Sequence, residues 1–436
     1  MTYTEAKEYM DNLNRRGIHP GLEGITALLD ALSHPEDSLN VVNVVGTNGK
    51  GSTALFLAEI LKAAGLKTGV FSSPAVFDER EIIRIGSNCI SQKSYGELVD
   101  IISRANTMGC TRFEVETALA FLYFANKKCD VAIMEAGMGG LTDATNAAKS
   151  CIASVFTAIG IDHIDYLGDT VEKIARNKAG VIKAGSSVIS TGQLPTVENV
   201  ISEKAGEFDT EVVWSDYSKA LNIRYKKDCT VFDYKEYKNI KTGLLGAYQV
   251  QNICLAIDAA KEIAKRLKVN ITVKHIIKAV AGATEHGRFE RICDKPVFYI
   301  DGAHNEPASL RLRENIETYF TNKKIIYIMG MLRDKECDKV VANTAEYADC
   351  IFTVATPNKS RTLSAFELAE IVKPYNPMVT SLDSIEEAVE MAAMMADKDT
   401  VVLAFGSLSH LNKVREAVNN IKLIKKDTHG VGKNDK

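Results

Sequence analysis

A lysine set between two glycines and followed by two hydroxyl residues ends the stretch Val41-Val42-Asn43-Val44-Val45-Gly46-Thr47-Asn48-Gly49-Lys50-Gly51-Ser52-Thr53. These residue types can hold a triphosphate. Glycines let the backbone turn so that N–H groups and a helix N-terminus face an anion, and Lys50 adds a point charge. The Ser52 or Thr53 hydroxyl can face a bound Mg²⁺. The strict pattern G-x-x-x-x-G-K-[ST] is not met: Val44 stands where its first glycine belongs, and Gly51 follows the lysine. The plainer alternative is a glycine-rich turn that only joins a strand to a helix.

More polar residues collect where other apolar runs end. Thr68–Phe71 runs into Ser72-Ser73-Pro74, Val131–Met134 into Glu135-Ala136-Gly137-Met138-Gly139-Gly140, and Cys151–Thr157 toward Ile161-Asp162-His163. In open parallel sheets, ligands bind beyond the carboxyl ends of the strands. Ser73, Glu135 and His163 offer oxygen and imidazole ligands suited to a divalent ion bridging phosphates. Taken singly, a Glu after a strand is a capping or solvated residue, and His163 can be a hydrogen-bonded structural histidine. The pattern returns later in the chain at Asp301-Gly302-Ala303-His304-Asn305, at Gly330–Lys335 and at Gly406-Ser407-Leu408-Ser409-His410. Two polar rims of this kind suggest a ligand cleft between domains.

The elements that must carry these residues alternate. Strand-like runs at Val41–Val45, Thr68–Phe71, Val131–Met134, Cys151–Thr157 and Ser187–Ser190 are separated by helical periodicity over Ser52–Ala64, Tyr95–Asn106, Glu116–Lys127 and Thr170–Lys178. This predicts an α/β fold with a mostly parallel sheet. Residues 191–245 are more polar and suit a small antiparallel ribbon, and Tyr248–Leu267 reads as a long helix. Alternation restarts after Arg288, with apolar runs at Val297–Ile300, Ile325–Met329, Cys350–Val354 and Val401–Phe405. The expected division is 1–294 and 295–436, two domains being what a chain of 436 residues calls for. A net charge of −3 gives no reason to expect nucleic acid or an acidic membrane as a partner, and no apolar run is long enough to span a bilayer. Nine scattered cysteines without a C-x-x-C pair suit free thiols in a reducing cytoplasm.

Eight short segments, in order, resemble the folylpolyglutamate synthase/dihydrofolate synthase branch of the Mur ligases. They are Gly46–Ser52, Phe113-Glu114-x-x-Thr117, Asp143-Ala144-Thr145-Asn146, Asp162-His163 with Leu167-Gly168 and Lys178-Ala179-Gly180, Gln249-x-x-Asn252, Gly287-Arg288, Asp301–Asn305 and Gly406-Ser407-Leu408. The resemblance implies the Mur ligase architecture, with a P-loop ATPase-like N-terminal domain and a smaller Rossmann-like domain that binds glutamate. It also implies the chemistry: ATP phosphorylates the carboxylate of a folate or of dihydropteroate, and L-glutamate then attacks the acyl phosphate to give an amide. By resemblance, Thr47, Asn48, Gly49, Lys50, Gly51 and Ser52 cradle the phosphates. Ser73, Glu135 and His163 hold Mg²⁺, and Lys178 falls where the family carries a lysine that CO₂ converts to a carbamate. Asn252, Arg288 and Asp301 become nucleotide contacts, with Lys50, His163, Lys178 and Arg288 the catalytic group. His304 and Ser407 receive glutamate. Thr111, Phe113, Glu114, Thr142, Asp143 and Ala144 lie by the pterin. A monomer is the family expectation.

The sequence departs from the family at Ser73–Arg80, where a His is missing and the loop is shorter. It departs also at Leu141 in place of Arg, at Asn177 before the lysine, and at Glu285-His286 before Gly287. Three of these lie on the acceptor side or beside Lys178. A Mur-type ligase for a different, non-folate acid is therefore the alternative.

Overall fold

The computed structural model describes residues 1–17, 20–357 and 361–430. The chain divides into two compact units. One is Met1–Arg224 with Val231–Gly243 and Tyr248–Ala283; the other is Tyr225–Thr230 with Leu244–Ala247 and the chain from Thr284 onward.

The first unit is built on eight strands: β1 (Asn40–Val45), β2 (Thr68–Phe71), β3 (Ile83–Ile85), β4 (Asn88–Cys89), β5 (Val131–Glu135), β6 (Ala153–Phe156), β7 (Ser187–Thr191) and β8 (Val212–Ser215). Their order is β4-β3-β2-β5-β1-β6-β7-β8. Strand β3 pairs antiparallel with both β2 and β4, and the pairs along β2-β5-β1-β6-β7-β8 are all parallel. Val41, Val42, Val44 and Val45 are wholly buried, because β1 lies mid-sheet with both faces covered. That is why the strand reads as a continuous apolar run rather than an alternation. The register sets Val44 opposite Glu135 on β5 and opposite Val155 on β6. Glu135 therefore ends beside the start of the glycine turn.

That turn enters the helix Lys50–Ala63, against which the helix Tyr248–Leu267 packs. The second helix is tied in turn to a three-stranded ribbon, β9 (Ala220–Lys226), β10 (Cys229–Tyr234) and β11 (Tyr237–Thr242). The tie is Asp258, only 4% exposed, which accepts from Tyr234 Oη and Lys235 Nζ, each at 2.6 Å.

The second unit holds β12 (Glu290–Asp294), β13 (Val297–Ile300), β14 (Lys324–Met329), β15 (Cys350–Thr353), β16 (Val379–Ser381) and β17 (Thr400–Phe405). The order is β12-β13-β17-β14-β15-β16, parallel except for the β12–β13 hairpin. Its core gathers Tyr299, Leu312, Tyr327, Met329, Val340, Leu368, Leu403 and Phe405.

The expected break at 294/295 falls inside the β12–β13 hairpin, and the long stretch of the second unit begins about ten residues earlier, at Thr284. Residues 191–245 hold the expected ribbon, but also the helix Pro195–Gly206 and the parallel strand β8. Strands β3, β4 and β16 have two or three residues each and sit at or near sheet edges. Such pieces carry too few apolar positions to show a period.

Removing the Asp258 carboxylate leaves a buried tyrosine hydroxyl without its acceptor. Asp258→Ala is expected to cost roughly 2 kcal/mol, read as an earlier urea transition, whereas Tyr234→Phe costs less because the Lys235 contact survives.

Candidate active site

The glycine turn has a tightly specified shape. Gly46 has φ +155°, and a Cβ there would lie 1.9 Å from Thr157 Oγ1; Gly49 has φ +89°, and its Cβ would lie 2.5 Å from Asn252 Oδ1. The first contact sets the loop against β6, and the second seats it on the helix Tyr248–Leu267. Asn252 is in turn held by donating to Gln249 Oε1 at 3.0 Å, and Gln249 Nε2 donates to Ser52 Oγ at 3.3 Å.

Thr47 does structural work. Its N–H donates to Ala158 O at 2.8 Å, and its hydroxyl both donates to Gly160 O and accepts from Gly160 N, each at 3.0 Å. The Asn48 N–H also goes to Ala158 O, at 3.3 Å. The N–H groups of Gly49 to Ser52 open the helix Lys50–Ala63 at its N-terminus, the end that favours an anion.

Lys50 Nζ donates to Gly46 O at 3.2 Å and to Thr47 O at 3.1 Å. Lys178, 3% exposed, donates to the same Gly46 O at 2.8 Å. Burial, with Lys50 next in weight, pushes the Lys178 ammonium down to about 7, against smaller opposing effects of Asp162 and Asp143. An amine in that range is substantially neutral near physiological pH and is nucleophilic.

Glu135 is 4% exposed and takes a short hydrogen bond from Ser72 Oγ. The sequence singled out Ser73, one residue on; two adjacent serines look alike until the register fixes which one faces β5. His163 has φ 50°, and its Nε2 lies 3.7 Å from Asp162 Oδ2. A buried carboxylate at a strand end with a serine hydroxyl on it offers oxygen donors of the kind a small divalent cation takes. When bound, such an ion neutralises phosphate charge during transfer.

His163 also lines a cavity of about 400 Å³, together with Thr111, Arg112, Phe113, Glu114, Gly137, Met138, Thr142, Asp143 and Ala144. All six residues expected beside the acceptor therefore share one wall. Two of them are also committed to the fold. Glu114 closes a capping box with Thr111, accepting from its N–H at 2.7 Å and its hydroxyl at 2.8 Å. Asp143 accepts from Met138 N, Thr145 N and Thr145 Oγ1, and burial raises its carboxyl. Phe113 covers Gly137 and meets the Phe71 ring at 5.6 Å. Asn177 accepts from Gly140 N at 3.0 Å and so shapes the loop before Thr142.

In the second unit, Asp301 joins the carboxyl end of β13 to the turn bearing Arg288. Its two oxygens accept from Phe289 N and Ala303 N, each at 2.8 Å, and burial pushes it up to about 6 against the pull of Arg288. His304 Nδ1 lies 2.8 Å from Gly302 O. Ser407 Oγ lies 2.8 Å from Ser409 Oγ, and a Cβ on Gly302 would meet Leu408 at 2.5 Å. Arg288, Asp301, His304 and Ser407 thus gather at the ends of β13 and β17.

Residues 44–260 match the Mur ligase middle domain, and residues 287–408 match the Mur ligase glutamate ligase domain. The class is therefore that of the Mur ligases. The chain is 29% identical over 432 residues to a dihydrofolate synthase/folylpolyglutamate synthase of Bacillus subtilis, covering 95% of this chain and 98% of that one. It is 31% identical to one from Mycobacterium tuberculosis, covering 87% and 83%. A structure of the Escherichia coli protein in complex with DHPP and ADP superposes with a TM-score of 0.84 at 27% identity, over 98% of this chain and 99% of that one. The chain belongs to the dihydrofolate synthase/folylpolyglutamate synthase family, and it is an ATP-dependent ligase.

The depressed Lys178 has a consequence for stability. Between about 7, its folded value, and 10.5, its ordinary value, the unfolded chain binds a proton that the folded chain does not, so stability rises with pH in that window. In CO₂-free buffer, the stability of the wild type relative to Lys178→Met is expected to climb by up to ~1.4 kcal/mol per pH unit there. Urea unfolding at several pH values reads the slope.

Proposed function

We propose that the first unit binds ATP with Mg²⁺ and phosphorylates the carboxylate of dihydropteroate or of a folate, and that the second unit receives the L-glutamate whose amine completes the amide. The observation that carries this reading is the pairing, within one unit, of a phosphate-type turn under two ammonium groups with a cavity of about 400 Å³ walled by Thr111–Glu114 and Thr142–Ala144. That volume suits a small-molecule ligand.

In this reading the N–H groups of Gly49 to Ser52 and the Lys50 ammonium hold the phosphates, the ammonium leaving the loop carbonyls it now bonds. Asn252 seats the loop at Gly49. Glu135, Ser73 and His163 hold the ion. The neutral form of the Lys178 amine attacks CO₂ and releases one proton, leaving a carbamate anion at that position. Phe113 offers a ring face to the pterin. Arg288 offsets charge on the transferring phosphoryl group, and Asp301 acts by holding the Arg288 turn. His304 and Ser407 receive glutamate.

A folate-type acceptor is favoured over an unrelated acid because the departures avoid the cavity wall. Among the described residues lining it, neither Leu141 nor the segment 73–80 appears, and Leu141 packs instead on Gly180. A cytoplasmic monomer completes the proposal, and nine unpaired thiols suit a reducing compartment.

Phosphate release decides it. With ATP and Mg²⁺, release is expected only when both glutamate and one of dihydropteroate, dihydrofolate or tetrahydrofolate are present. Lys50→Ala is expected to lose at least about 100-fold in turnover with an unchanged melting temperature. Release that is indifferent to acceptor and glutamate would overturn the ligase assignment of these sites.

A further inference from the structure

We propose that Ser72 is the positioning residue of the divalent-ion site, clamping the Glu135 carboxylate with its hydroxyl while its backbone anchors the start of the Ser73 segment. The inference rests on the reading that Glu135 and Ser73 hold the ion. It adds a residue that the expected ligand set leaves out.

Ser72 is fixed from two directions. Its N–H donates to Ile82 O at 3.0 Å, and its hydroxyl donates to Glu135 Oε2. Both anchors are themselves rigid. Phe71, directly before it, is fully buried and sits in register with Met134, the residue directly before Glu135. Ile82 and Ile83 are buried at 4% and 0% exposure. The hydrogen bond therefore spans the carboxyl ends of two neighbouring strands, β2 and β5, where neither backbone can shift without disturbing packed side chains.

A carboxylate has one soft torsion near its end, and that torsion decides which way its oxygens face. A donor on Oε2 fixes the plane, and with it the direction of Oε1. The same donor offsets part of the cost of keeping an anion 4% exposed before an ion arrives. Partners of this sort, which touch the ligand rather than the metal, govern metal affinity by ~10–100-fold. Because Ser73 follows Ser72 directly, one residue indexes two of the three expected ligands.

The test uses the full chain, a β,γ-methylene analogue of ATP and isothermal titration calorimetry at a series of Mg²⁺ concentrations, including none. Ser72→Ala is expected to raise the Mg²⁺ midpoint for analogue binding by ~10-fold or more. Its metal-free analogue affinity stays near wild type, and Ser72→Thr, which keeps the hydroxyl, restores the midpoint. An unchanged midpoint in Ser72→Ala, or an equal loss of metal-free binding, overturns the proposal. Glu135→Gln separates the two levels. If it shifts the midpoint and Ser72→Ala does not, only the role of Ser72 falls; if neither shifts it, the ion-site reading falls with it.

Discussion

Two ammonium groups share one carbonyl oxygen, that of Gly46, and much of the first unit is arranged to permit it. The contact requires residue 46 to lack a Cβ, because Thr157 Oγ1 occupies that space. It requires β1 to lie between β5 and β6, so that Lys178, on the helix Val171–Ala179, can reach across to the end of β1. It also forces an electrostatic choice. Burial first, and the neighbouring Lys50 cation second, push Lys178 toward neutrality. A group so poised is more often found in a site than in a core, and here it stands at the glycine turn that opens the helix Lys50–Ala63.

The carboxylates around the cavity follow a different logic. Glu114 caps a helix through Thr111, and Asp143 collects three donors from its own loop. Both would be held in place with no ligand present. A pocket wall built from such residues is preorganised: its shape is set by hydrogen bonds already made, and ligand binding does not have to supply the ordering. Phe113 adds an aromatic face whose position is fixed by Phe71 and by the absence of a side chain on Gly137. The site is thus a by-product of helix capping and strand ends, which is also why its residues cluster at turns.

Much of the architecture was legible in the sequence for a simple reason. Central strands such as β1, β5 and β17 are buried on both faces, and long helices such as Tyr248–Leu267 repeat their apolar stripe over several turns. Edge pieces lack that signal. Strand β16 is Val-Thr-Ser with two exposed residues, and β12, Glu-Arg-Ile-Cys-Asp at a sheet margin, shows no alternation. At the candidate site, the residue types pointed to the glycine turn and to the polar residues at strand ends. What they could not carry was direction. Ser72 and Ser73 are chemically identical neighbours, and only the pairing of Phe71 with Met134 shows which hydroxyl meets Glu135. Thr47 is the converse case: its type suits phosphate, but its N–H and hydroxyl are already spent on the loop after β6.

The departures from the family pattern become intelligible on the same terms. Asn177, standing where the family carries a Glu, puts its amide oxygen on Gly140 N and its backbone oxygen on Leu141 N. An amide makes that bond without adding charge next to Lys178, which is already short of solvation. Leu141, standing where the family carries Arg, packs its side chain over Gly180 at the end of the same helix. The two residues are neighbours through one loop, whose geometry is kept by hydrogen bonds and packing that need no charge. Asn177 and Leu141 thus hold the loop by hydrogen bonds and packing beside the helix that carries Lys178, and Leu141 and Asn177 are not among the described residues lining the cavity.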